Sequence, residues 1–180
     1  MKARKLILSV FSLLVAGMLS GCSANKSPDV TDNIRKSLDQ AGLKDISVSQ
    51  DRDKGVVTLT GTVPTDTDKQ QGESIAKANA PNLVVADQIS VRPPGNESEA
   101  KEVDSDLDKA IEKNLDATLV KHRLKKNVKY DVKNGVVTLK GDVPSQSKRE
   151  QVEKLAASIP NVKQVVNEIE VKNQKATSTS

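Results

Sequence analysis

Residues 54–67 read KGVVTLTGTVPTDT, and residues 134–147 read NGVVTLKGDVPSQS. Near-identity at a spacing of 80 residues limits the fold more than any other feature, because it means one supersecondary unit made twice. Within each copy, Val57 and Leu59, like Val137 and Leu139, fall on one face of a strand, since side chains alternate along it. Gly61 to Pro64 and Gly141 to Pro144 then stop the strand: glycine permits a sharp exit and proline cannot continue a ladder. Asn134-Gly135 is a type I′ hairpin signal, and Lys54-Gly55 holds its place in the first copy.

The flanking residues complete the unit. Val30, Ile34 and Leu38 in one half, and Leu107, Ile111 and Leu115 in the other, recur at helical spacing. Ile46 and Val48, like Val128, Tyr130 and Val132, alternate as a strand before the turn. After the proline, Thr67 to Gln70 and Ser147 to Glu150 fit a capping box and open a second helix. Its inward stripe is Val152, Leu155, Ala156 and Ile159 in the second copy, against Gly72, Ile75, Ala76 and Asn79 in the first. A glycine inside a helix costs about 1 kcal/mol relative to alanine. Gly72 also forgoes a core side chain, so the first unit is expected to be the less stable and Gly72→Ala is expected to raise its melting temperature. Each half ends on a strand, VVADQISV or VKQVVNEIEV, with one residue more between proline and isoleucine in the second copy. The expected class is α+β: two tandem αββαβ units, each a small three-stranded mixed sheet covered on one face by two helices.

The ends are of another kind. Lys2, Arg4 and Lys5 precede an uncharged apolar stretch, Leu6 to Leu19, too short for a settled membrane span. It runs into Leu19-Ser20-Gly21-Cys22, which resembles the bacterial lipobox; that resemblance implies cleavage before Cys22 and acylation of it, with an outer-membrane address facing the periplasm in a Gram-negative cell. The expected layout is a signal peptide over 1–21, a tether over 22–28, units over 29–93 and 102–173, a linker over 94–101 and a disordered tail over 174–180.

Composition excludes several functions. Three of the four net positive charges lie at Lys2, Arg4 and Lys5, which leaves about +1 for the remainder. With Phe11 in the leader, Tyr130 is the one aromatic residue beyond it, too few for stacking bases, so nucleic acid is not an expected partner. Cys22 is the single cysteine and His122 the single histidine; no disulfide framework, metal site or nucleophilic pair can be assembled from them, and no cofactor or catalytic residue is expected. His122 lies among Lys121, Arg123, Lys125 and Lys126 and is expected to be a solvated loop residue. Asp104, Asp106 and Asp108 diverge on a helix and suit a helix N-terminus, while Asp51 and Asp53 suit turn chemistry.

One charge concentration stands out. KHRLKKNVK, residues 121–129, holds Lys121, Arg123, Lys125, Lys126 and Lys129 and no acid, whereas the corresponding AGLKDISV of the first copy holds one Lys and one Asp. Two readings are open: cations that complement a helix C-terminus, or a basic surface for anionic lipid headgroups.

Gly-Val-Val-Thr-Leu-x-Gly-x-Val-Pro, followed by a helix and then Val-Val-Asn-x-Ile-x-Val, resembles the BON domain (bacterial OsmY and nodulation). Two copies behind a lipobox are similar to the dual-BON lipoproteins. The resemblance implies an αββαβ fold, no catalysis, a role in envelope integrity or osmotic stress, and contact of the second domain with anionic phospholipid. The alternative is an interaction module that docks a periplasmic protein or the cell wall, or that binds a small ligand or ion.

Overall fold

The computed structural model describes residues 26–172; Cys22, the leader and the tail lie outside the described residues. The first unit runs α1 (Thr31–Gln40), β1 (Ile46–Asp51), β2 (Val56–Val63), α2 (Asp66–Asn79) and β3 (Val84–Val91). The second runs α3 (Glu97–Lys121), β4 (Val128–Lys133), β5 (Val136–Val143), α4 (Gln146–Ala157), β6 (Gln164–Asn167) and a short β7 (Glu170–Val171). In each sheet the middle strand pairs antiparallel with its hairpin partner and parallel with the strand after the helix, giving orders β1-β2-β3 and β4-β5-β6 with β7 also on β5. This is the expected mixed-sheet αββαβ unit, twice.

The repeated glycine has a stricter cause than a sharp exit. Gly61 and Gly141 have φ of 132° and 121°, and a Cβ there would sit 2.1 Å from the carbonyl oxygens of Asp45 and Asn127 respectively. The backbone entering the first strand of each hairpin passes where a side chain would be. Asn134 and Gly135 have φ of 52° and 81°, the doubly positive pair of a type I′ turn. The extra residue of the second copy lies in the turn before β6, where Asn161 takes φ 67°; from there both parallel pairings hold the same register, Val56 opposite Val84 and Val136 opposite Gln164.

Four expectations need correction. The second helix of each unit is capped two residues earlier than expected: Thr65 and Ser145 accept from the Asp68 and Lys148 N–H groups. The linker is short, because α3 begins at Glu97 and runs without a break into the second unit. Its first half leans on the first unit, where the Ser90 hydroxyl donates to Asp104 at 2.6 Å, and Asp108 accepts from the Asn134 and Gly135 N–H groups, both at 2.8 Å. Those carboxylates therefore fasten the helix to its neighbours and do not decorate its N-terminus. Gly72 is mid-helix as expected, but it does not leave the core short. A Cβ there would lie 2.6 Å from Ile46 Cδ1. Ile46 fills the space that Val152 fills in the second unit, where the corresponding strand position is the smaller Val128.

The open faces of the two sheets meet. Val56 and Ala86 of the first unit pack with Val136 and Val166 of the second, all at most 4% exposed. Burial of three valines is worth on the order of 5 kcal/mol as an upper estimate. The Gln164 amide spans the junction, donating to Val85 O at 2.7 Å and accepting from Asp87 N at 3.1 Å, so a side chain closes part of the free edge of β3. Asn134 Nδ2 donates to Gln88 O, and Lys54 pairs with Glu170.

The rest of that edge is closed from within. Asp87 Oδ1 accepts from Ile89 N, and Lys69 donates to Ile89 O at 2.6 Å. The second unit repeats the device with Asn167 and Arg149 on Ile169. Burial outweighs the Ile89 N–H and the Lys69 ammonium and pushes the Asp87 carboxyl above its usual range. Asn167 instead donates to Glu153, and Glu73 holds the matching place beside Asp87.

Two predictions follow from this packing. Gly72→Ala alone should not stabilise the protein, and Ile46→Val alone should cost about 1 kcal/mol. Together they exchange one methyl group in place, so the pair should be coupled favourably by at least about 0.5 kcal/mol in a urea-denaturation cycle; simple additivity would sink the packing account. Asp87→Asn should raise stability at pH 7, because an acid whose folded pKa is raised loses stability as pH rises through that value. The margin should vanish as pH falls below about 4, where the native carboxyl is neutral in both states. Urea melts at the two pH values measure it.

Candidate functional site

The basic segment begins where α3 ends. His122 caps the helix, Arg123 turns left-handed at φ 57°, and Leu124 returns to the core with its N–H bonded to Leu119 O. In the first unit Gly42 makes the same turn at φ 80°, which a glycine does freely and an arginine does at a cost.

The five candidate cations do not form one surface. Lys121, Arg123, Lys125 and Lys126 cluster around the helix end, all exposed, next to Val120, which is 60% exposed. Lys129 lies on β4 opposite Lys140, on the sheet face away from the helices. Lys125 is also committed: it pairs with Asp116 and lies 4.7 Å from the centre of the Tyr130 ring, while the Tyr130 hydroxyl donates to the same carboxylate. The Lys125 ammonium and then the Tyr130 hydroxyl hold Asp116 below the usual carboxylate range, and Asp116 holds Lys125 above its own. Among the described residues, Lys121, Arg123, Lys126 and Lys129 form no ion pair. The open basic tip is therefore Lys121, Arg123 and Lys126.

Arg123 has neighbours that the segment alone does not reveal. It lines a groove of about 420 Å³ with Leu124, Asn127, Asp142, Val143, Pro144, Lys148 and Lys172. Aligning the copies at 80 residues could have flagged it, since Lys148 stands where the first copy has Asp68.

With the geometry in place, the relatives can be considered. The BON domain model matches residues 26–93 and 104–173. The chain belongs to the BON-domain family. It is similar to "Osmotically-inducible protein Y" of Escherichia coli (strain K12), at 28% identity over 146 residues covering 79% of this chain and 71% of that protein. It is also similar to "Uncharacterized protein in gshII 5'region" of Anaplasma centrale, at 31% over 144 residues covering 79% of this chain and 92% of that one. Two solved structures of CdsD, a structural protein of the type III secretion system of Chlamydia trachomatis, match at 18% and 14% identity with TM-scores of 0.32 and 0.36. They cover 80% and 78% of this chain, and 66% and 91% of theirs; at those scores neither likeness carries an argument.

In BON terms, the asymmetry is between domains: the end of the first helix is basic in the second BON domain and nearly neutral in the first. The Asp116–Lys125–Tyr130 contacts give a direct check. Lys125→Glu should lower the melting temperature by placing a carboxylate against Asp116, whereas Lys126→Glu should leave it unchanged. Equal effects would mean that Lys125 is as free as its neighbour.

Proposed function

We propose that the chain is an exported, non-enzymatic envelope protein, anchored by acyl chains at Cys22, whose second BON domain rests on anionic phospholipid. The carrying observation is the tip of α3, where Lys121, Arg123 and Lys126 are exposed and form no ion pair among the described residues, whereas AGLKDISV at the end of α1 holds one Lys and one Asp. Cations that complemented only their own helix end would be expected in both copies, and the first copy lacks them. Similarity to an osmotically inducible protein supports a role in osmotic or envelope stress. Each Lys or Arg near an anionic leaflet contributes roughly a fivefold gain in affinity. Three of them bind faintly from solution, but an anchor raises the local concentration enough for the contact to persist.

The test uses vesicles with and without phosphatidylglycerol. The protein should sediment with the anionic vesicles only, and less so as salt rises. Lys121→Glu combined with Lys126→Glu should weaken binding at least about tenfold, while Lys36→Glu with Lys44→Glu in the first domain should not. If the two pairs behave alike, the tip is a solvated helix end and a protein or cell-wall partner takes the lipid's place. Cys22→Ala should leave the protein unacylated by intact mass in its host and free it from the membrane fraction or block its cleavage.

A further inference from the structure

We infer that the groove beside Arg123 is a binding site for a phosphate ester. It is assembled from four parts of the second BON domain: the left-handed turn after α3, the loop into β4, the end of β5 with the start of α4, and the residue after β7. Arg123, Lys148 and Lys172 line it, against one carboxylate, Asp142, for a net charge of +2. Lys172 pairs with Asp142 at 3.1 Å, and Lys148 donates to the neutral Gln151. Among the described residues, neither Arg123 nor Lys148 is neutralised by an acidic partner, so both charges remain for an incoming anion.

The first domain serves as an internal control. In the places of Arg123, Asp142, Lys148 and Lys172 it has Gly42, Thr62, Asp68 and Arg92, a net charge of zero, and Asp68 is occupied by the Thr65 hydroxyl. The fold therefore does not require the cations. It does not require an arginine in the left-handed turn either, since glycine makes the same helix end without strain. A planar guanidinium and a nearby ammonium match the oxygens of a phosphate. Leu124, Val143 and Pro144 supply an apolar floor that suits the carbon of an ester over a bare ion. The chemistry fits a small polyol phosphate, whether free or as a lipid headgroup. Arg123 is shared with the basic tip, but Lys148 and Lys172 lie outside it, so variants at Lys148 test this site apart from the membrane contact proposed above.

Titration of the purified protein with glycerol 3-phosphate, followed by amide chemical shifts at constant ionic strength, tests it. Shifts should concentrate at residues 123–127, 142–148 and 172, with a dissociation constant in roughly the millimolar range. Arg123→Gly should weaken binding about tenfold, the worth of a charge-assisted hydrogen bond, while the melting temperature holds or rises. Lys148→Gln should weaken it as well. The Lys121→Glu and Lys126→Glu pair should leave it unchanged, which separates the groove from the tip. If Lys148→Gln also lowers sedimentation with phosphatidylglycerol vesicles, and glycerol 3-phosphate competes, the occupant is a headgroup; if vesicle binding is untouched, it is a soluble phosphate ester. Shifts spread evenly over exposed lysines, or insensitive to both groove variants, would overturn the inference.

Discussion

Four apolar side chains hold the molecule's architecture: Val56, Ala86, Val136 and Val166. A three-stranded sheet with helices on one face leaves the other face bare to water. Here each bare face is covered by the other. Side chains that point away from the helices in each unit become the inside of the whole, which is why β3 is buried along nearly its full length, including Gln88 and Ser90. At the junction the Gln164 amide and the Asn134 side chain serve backbone groups of β3 that this contact takes out of water.

The same contact explains how the basic end of α3 is positioned. A helix of 25 residues is about 37 Å long. Its first turns are fastened to the first domain by Ser90, its middle to the second domain's hairpin by Asp108, and its core stripe Ile111, Leu115 and Leu119 is fully buried. The cations at its far end are carried by a strut fixed at several points, and the groove forms where that strut turns beside the start of α4.

Much of this was legible in the residues because it is local. Alternation, the Asn134-Gly135 turn, the glycine before the proline and the helical stripes each act within a few positions, and the two copies corroborate one another. What escaped was nonlocal or degenerate. Thr65 and Thr67 both suit an N-cap, and only the backbone decides between them. Residues 97–101 are polar because they face water, which reads as a linker until Asp104 finds Ser90. The exchange of bulk between Gly72 and Ile46 crosses from helix to strand, and no periodicity exposes it. The basic segment was visible as a string, but its division was not: Lys129 lies on a sheet face, Lys125 is tied to Asp116, and Lys148 and Lys172 arrive from elsewhere in the chain.

The junction also has a meaning in terms of symmetry. Val56 and Ala86 are followed 80 residues later by Val136 and Val166, so the two halves touch through the same positions. That is how a homodimer associates, with one self-complementary patch used twice. This chain is in effect such a dimer with its subunits joined in series. Two separate but identical subunits must accept every substitution in duplicate; joined ones are released from that rule. One half can keep glycine in its helix-end turn and an aspartate in the next helix, while the other places an arginine and a lysine there, with no change to the surface that unites them. Covalent linkage thus turns a symmetric assembly into one that can have a working side.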